Sequence, residues 1–312
     1  MTTEGYCIGK FSPLLVVESQ LFMPFLFVIF AKFYELIFIQ KEKKKIGEMS
    51  FLGHLEALRW HLVRSVIVIF ILAGVAFCFP EILFSKIILA PKSPDFLTYQ
   101  LLCKLSHQWG MGAALCFTEF NFTFQNIEVT GQFTLAMWGS FVAGLVLAFP
   151  YLLWEIWRFI RPALKDNEAK AATGFIFWAT LLFFTGVLFG FYVVAPMAIY
   201  FLGNYQVDPT IKNIFSIDSY ISVVTTLVLL MGIVFELPII IYFLARFGII
   251  TAAFMIKNRK YAIVVILIVA AVITPTTDIF TQMLVAIPLW VLYEVSIIVA
   301  KRVEKKRAAI AV

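Results

Sequence analysis

Charged residues are scarce in this sequence. Asp, Glu, Lys and Arg make up 14% of the 312 residues, whereas a soluble globular domain carries about 25%. Hydrophobic residues make up 62%, and the mean hydropathy is +0.94. This composition excludes an ordinary water-soluble fold and indicates an integral membrane protein. The net charge of +6 therefore does not indicate nucleic-acid binding, because basic cytoplasmic loops account for such an excess.

The groups that carry catalysis are also few. The three histidines, His54, His61 and His107, show no metal-ligand spacing with cysteines or acids. The sequence contains no phosphate-binding glycine loop and no nucleophile elbow. We therefore expect no catalytic residues, no metal and no cofactor, and we expect a protein that is not an enzyme. Any energy that it uses must come from partners or from the membrane gradient.

Long apolar runs predict an all-α integral membrane protein. Six transmembrane helices are expected at 60–79, 133–157, 174–195, 220–245, 261–273 and 280–300. The fifth would be only about 20 Å long, and the sixth contains Pro288. We therefore expect short fifth and sixth helices that form a hairpin. Re-entrant segments, or an intramembrane turn at 274–278, are the alternatives.

Basic residues predict the orientation of these spans. They concentrate at 158–172, at 246–260 and after residue 300. On the opposite side, Lys212 is the only basic residue between spans three and four, and none lies between spans five and six. Because basic loops stay in the cytoplasm, both termini are predicted to lie inside.

The segment 80–132 is too long and polar for a turn, so it predicts a periplasmic cap with short amphipathic helices. Cys103 and Cys116 both fall in it, and in an oxidising periplasm they could form a disulfide. Two free thiols buried against the cap are the alternative.

The two ends of the chain differ from its centre. Residues 1–48 are an uncertain extension, since the apolar run 11–39 contains charges and lacks the features of a secretory signal. A seventh span, an interfacial helix and a translation start near Met49 are the alternatives, and the start near Met49 fits best. A six-helix membrane domain at 49–301 and a basic cytoplasmic tail at 302–312 follow.

One acid is expected inside the membrane. Glu236 is the only acidic or basic side chain between Tyr220 and Ala245, and it would lie near the bilayer midplane. Such an acid costs a few kcal/mol unless it is protonated, paired or facing a wet cavity. Pro238 favours a bend beside it. Glu236 is therefore either a protonated group bonded to a neighbouring helix or a contact for something that enters the membrane.

Polar groups on the predicted cytoplasmic surface suit a basic peptide. Glu56 and Arg59 lie on an amphipathic segment at 49–62, where they could simply pair with each other. The turn at 158–168 offers acids between two spans. Carboxylates gain most from arginines that they hold in a bidentate, partly desolvated pair.

Four motifs in order resemble the TatC family over about residues 49–301. They are His54-Leu-Glu-Ala-Leu-Arg59, Trp157-Arg-Phe-Ile-Arg-Pro-Ala-Leu164, Phe235-Glu-Leu-Pro238 and Ile273-Thr-Pro-Thr-Thr-Asp-Ile-Phe-Thr-Gln282. The resemblance implies the receptor and core subunit of the twin-arginine translocase, in the bacterial inner membrane. Such a protein binds twin-arginine signal peptides and exports folded proteins with the proton gradient. The implied partners are TatA/TatB-type single-span subunits, signal peptides and lipid, in a homo- or hetero-oligomer without nucleic acid.

The resemblance also implies roles for particular residues. The signal-peptide site would comprise Glu168, Glu56, Arg59, Phe159, Pro162 and Leu164. Glu236 would be an intramembrane polar site on the concave side, and Asp278 and Gln282 would receive partner helices.

The first motif departs from the family pattern. The family usually reads His-Leu-x-Glu-Leu-Arg, which places an acid where this chain has Ala57. Either Glu56 substitutes from about 100° round the helix, or Glu168 carries recognition largely alone. The function alternative is a secondary transporter or channel with Glu236 as its ion or proton site.

Overall fold

The computed structural model describes residues 51–108, 116, 122–160, 173–206, 208, 213–274 and 279–310. The chain divides into two compact units, residues 1–58 and 59–312. The described part of the first unit is the start of helix α1 (Phe51–Phe77). The predicted extension at 1–48 lies outside the described residues.

The apolar runs fold as helices, which confirms the all-α membrane class. Those introduced here are α2 (Leu97–Gln108), α3 (Gly131–Ile160), α4 (Thr173–Phe189), α5 (Ala195–Asn204), α6 (Ile217–Phe235), α7 (Leu237–Phe247), α8 (Ala252–Lys257), α9 (Arg259–Ile273) and α10 (Ile279–Ile310). Five stretches in the described part of the chain are long and apolar enough to cross a membrane: Leu55–Phe77, Gly131–Ile160, Gly174–Asn204, Ile217–Phe247 and Thr281–Lys306. The chain is therefore a multi-pass membrane protein.

The last two helices differ greatly in length. Helix α9 has 15 residues and is about 22 Å long, in agreement with the predicted short fifth helix. The prediction of a short sixth helix is wrong, because α10 has 32 residues and continues through the predicted tail. Its last turns are held by packing: Val303 is buried, and Glu304 Oε1 accepts a hydrogen bond from the Ala252 amide at 2.7 Å.

The third span continues past its predicted end at residue 195. A π-helical turn, Gly190–Val194, joins α4 to α5. Pro196 explains this wider turn, because proline has no amide proton and clashes with the carbonyl four residues earlier. That carbonyl belongs to Tyr192, and it accepts a hydrogen bond from the Thr98 hydroxyl instead.

The segment before α3 forms a folded cap. It contains a π-helix (Glu81–Ile88), a 3-10 turn (Ala90–Lys92), helix α2 and strand β1 (Phe122–Gln125). Strand β1 pairs in parallel with β2 (Asn213–Ser216), with Phe122 opposite Asn213. This short sheet is a feature that the apolar runs did not predict.

Tyr99 fastens the cap to the helices. Its buried hydroxyl lies 3.0 Å from the Pro91 and Pro196 carbonyl oxygens, to which it donates. Burial raises the pKa of Tyr99, so the phenol stays neutral and remains a donor. Cys103 and Cys116 are joined in a disulfide within the same cap.

Two glycines permit close helix crossings, one between α3 and α1 and one between α4 and α6. A Cβ atom added at Gly144 would lie 2.6 Å from the Ala73 backbone nitrogen, and one at Gly186 would lie 2.6 Å from the Met231 carbonyl oxygen. At these two positions the absence of a side chain permits the close packing. The core beside them includes Leu227, Met231, Val285 and Leu289, each at most 1% exposed.

Candidate functional site

A buried acid joins two helices on the basic side of the membrane domain, the side that carries Arg158, Arg246 and Lys301. Glu155 lies on α3 about 8 Å before the helix ends, and the residue is 1% exposed. Its Oε2 accepts a hydrogen bond from Nδ1 of His61 on α1. Its Oε1 accepts one from the Tyr151 hydroxyl at 2.8 Å. Burying this carboxylate is tolerable because both of its oxygens are bonded.

Aromatic and basic side chains surround this pair. The ring of Phe159 meets the His61 ring edge-on, with the centroids 6.1 Å apart. The Arg158 guanidinium lies over the Trp154 ring at 5.4 Å. The His61 side chain is 17% exposed and that of Glu155 is 2% exposed, so the imidazole is the more accessible partner.

The sequence analysis missed Glu155. A signal for it existed, because Glu155 interrupts the apolar run Tyr151-Leu-Leu-Trp-Glu-Ile-Trp157 just as Glu236 interrupts its own run. Its partner could not be predicted from a local sequence pattern, since His61 lies 94 residues away along the chain.

The predicted signal-peptide residues have different positions. Phe159 is half-buried beside His61, and Arg59 is exposed on α1. Glu56 is exposed and belongs to the first unit. Pro162, Leu164 and Glu168 lie outside the described residues, so their roles stay predictions.

Glu236 lies between α6 and α7, where the span breaks. Pro238 removes the amide that would bond to the carbonyl one turn earlier, and the Glu236 amide bonds three residues back, to the Ile233 oxygen at 3.1 Å. The residue is 8% exposed. Within the described part of the chain, its Oε1 and Ser140 Oγ are the buried side-chain oxygens or nitrogens without a hydrogen-bond partner.

An unpaired buried oxygen destabilises a fold by about 1–3 kcal/mol. Glu236 is therefore difficult to explain by folding alone.

The predicted docking residues are only partly visible. Gln282 Nε2 donates to the Leu267 carbonyl oxygen at 3.0 Å, which ties the start of α10 to α9. Asp278 lies outside the described residues. The docking role of both residues stays a prediction.

Potential metal ligands meet at one place among the described residues. Cys103, His107 and Cys116 bring their ligand atoms within 4.8 Å of one another. The two sulfurs are bonded to each other, so they do not offer the thiolates that a metal requires. In this oxidised state the group does not fit a metal site.

Comparison with known proteins identifies the family. The family model for the Sec-independent protein translocase protein (TatC) matches residues 53–288, well over half of the chain. The chain belongs to the TatC family.

Relatives and solved structures agree with this membership. A TatC from Blattabacterium sp. subsp. Periplaneta americana (strain BPLAN) is 39% identical over 266 residues, which cover 85% of this chain and 100% of that protein. A TatC from Carboxydothermus hydrogenoformans is 35% identical over 258 residues, covering 83% and 95%. A crystal structure of the twin-arginine translocase receptor TatC superposes with a TM-score of 0.58 at 32% identity, covering 80% of this chain and 99% of that one.

As a TatC, the chain is a receptor subunit of the Sec-independent, twin-arginine protein translocase. It is a multi-pass membrane component of a transport system, and it works with the other parts of that system.

Proposed function

We propose that this TatC binds the paired arginines of a signal peptide on its basic side, through residues of α1, the end of α3 and the segment 161–172 that follows α3 in the sequence. Glu168 supplies the main carboxylate, because the resemblance to the family places the acid of the loop after the Trp157–Leu164 motif at this position. On the same resemblance we assign Phe159, Pro162 and Leu164, together with Arg59 and Glu56, to signal-peptide binding. The recognition is binding and not catalysis.

One observation supports this location more than any other. The hydrogen bond between His61 and Glu155 holds α1 at His61 against the end of α3, and the motif residue Phe159 packs against His61. Phe159 of the second motif therefore shares one surface with His61, which lies two residues after the first motif. An acidic group at such a surface favours a guanidinium, which it can hold through two parallel hydrogen bonds.

We further propose that TatA/TatB-type single-span subunits dock on the membrane-embedded face. The unpaired Oε1 of Glu236 offers such a partner a buried acceptor or proton donor. We also assign Asp278 and Gln282 to the docking of these subunits. The Gln282 side chain is bonded to the Leu267 carbonyl of α9.

Photo-crosslinking tests the receptor site. A crosslinker at position 168 is expected to capture a twin-arginine peptide and not the matched twin-lysine peptide, with the protein in lipid nanodiscs. A crosslinker on the exposed cap residue Leu101 is the control and should capture neither peptide. Equal capture of both peptides at position 168 would contradict arginine recognition there.

A further inference from the structure

We propose that Glu155 is a second arginine-binding carboxylate of this receptor, and that His61 occupies it until a signal arginine takes its place. The inference rests on the proposed receptor function and adds a specificity-determining residue to it. Glu155 is buried, ionisable and placed at the end of α3, three residues before Arg158.

The carboxylate has unused hydrogen-bonding capacity. A carboxylate offers about four lone-pair positions. One hydrogen bond from Tyr151 reaches Oε1 and one from His61 reaches Oε2. A guanidinium that replaced the imidazole could donate two parallel N–H bonds, so the exchange increases the number of bonds to Glu155.

His61 is suited to be a displaceable occupant. Its side chain is 17% exposed while that of Glu155 is 2% exposed, so rotation of the imidazole opens a path to the acid. The neighbouring Phe159 ring is half-buried and presents a flat surface beside that path. A guanidinium stacks on such a ring, as Arg158 already does on Trp154.

The exchange also discriminates between arginine and lysine. Imidazole carries a positive charge only when it is protonated, whereas a guanidinium is always charged. A lysine ammonium is charged too, but it is more strongly hydrated and cannot make the planar two-bond contact. A buried carboxylate therefore prefers arginine over both His61 and lysine.

The test measures equilibrium binding of fluorescent twin-arginine and twin-lysine peptides to the full chain in nanodiscs. Glu155→Gln keeps the size and the polar contacts but removes the charge, so twin-arginine affinity should fall about tenfold with little change for twin-lysine. His61→Gln removes the competing imidazole, so twin-arginine binding should tighten, by about threefold. Glu294→Gln is the matched control, since Glu294 lies on another helix, α10, where it is paired with Arg259 at 2.7 Å. It should change neither affinity.

The direction in which His61→Gln changes twin-arginine affinity distinguishes a role in recognition from a purely structural role in holding α1 against α3. If Glu155 and His61 only hold the helices, both variants lower the melting temperature and weaken the two peptides alike, which overturns the inference. Unchanged twin-arginine affinity in Glu155→Gln also overturns it. If Glu155→Gln fails to fold, weaker twin-arginine binding in His61→Gln alone has the same meaning. A wild-type protein that binds both peptides equally contradicts the proposed function itself.

Discussion

Two acids interrupt apolar helices in this protein, and their surroundings differ. Glu155 has both oxygens bonded, to His61 and Tyr151. Glu236 is almost as deeply buried, yet its Oε1 has no hydrogen-bond partner in the described part of the chain. A paired buried acid contributes to holding helices together, whereas an unpaired one lowers stability and is kept for another reason.

This contrast predicts the behaviour of Glu236→Leu. Because the substitution removes an unsatisfied buried oxygen, the free energy of unfolding should stay equal or rise by about 1–2 kcal/mol. Export of a twin-arginine substrate should nevertheless be lost, because partner helices lose their polar contact. Thermal unfolding in detergent and an export assay in cells measure the two effects. Ser140→Ala, which removes the other unpaired buried oxygen, is the control and should retain export. Full export by Glu236→Leu would contradict the proposed role.

At the scale of helices, two prolines coincide with changes in the regular backbone, and polar side chains connect neighbouring helices. Pro196 coincides with the π-turn, and Pro238 with the break between α6 and α7. The short helix α9 is tied to α10 at its first residue and near its middle: Arg259 pairs with Glu294, and Gln282 bonds to the Leu267 carbonyl. A short apolar helix held in this way keeps its depth in the membrane.

Gln282→Leu should therefore loosen α9. The amide hydrogen bond is partly buried, so its loss should cost about 1 kcal/mol. Hydrogen exchange of the α9 amides should become faster. The control is Gln100→Leu, since Gln100 makes a comparable amide bond to the Asp95 carbonyl at an exposed site and its loss should have a smaller effect. Unchanged α9 exchange in Gln282→Leu would show that this contact does not hold the helix.

On the scale of the whole molecule, apolar helices of unequal length pack together, and we infer that the short α9 crosses the bilayer beside the longer spans. Helix α3 has 30 residues and α9 has 15, so α9 is about 8 Å shorter than a hydrocarbon core of about 30 Å. Either the bilayer beside α9 is thinner, or the polar residues that flank α9 are drawn into the hydrocarbon region.

Lipid length should consequently affect the stability of the protein. Nanodiscs of dimyristoyl phosphatidylcholine should support a higher melting temperature than those of dierucoyl phosphatidylcholine, because the thicker bilayer increases the mismatch at α9. Insertion of four leucines into the middle of α9 lengthens it by about 6 Å and should reduce this difference. The same insertion into α1, which already has 27 residues, is the control. Equal lipid dependence in the insertion variant and the wild type would exclude α9 as the cause.

Local sequence patterns predicted the long helices because apolar runs such as those of α3 and α6 need no distant partner to be recognised. Features that depend on contacts between distant segments were missed. The end of α10 extends because Val303 and Glu304 contact other helices. The Glu155–His61 pair joins residues 94 apart. The proposed site is thus predictable by motif at Phe159 and Glu168, but not at Glu155, whose partner only the fold brings near.

The pairing of β1 with β2 has a consequence for how this protein can change over evolutionary time. Main-chain hydrogen bonds between Phe122–Gln125 and Asn213–Ser216 fasten the cap to the start of α6, and they do not depend on which side chains the strands carry. Lineages can therefore alter the exposed side chains of the cap while the attachment persists. Proline is the substitution that such drift is expected to avoid at these positions, since it removes a ladder bond.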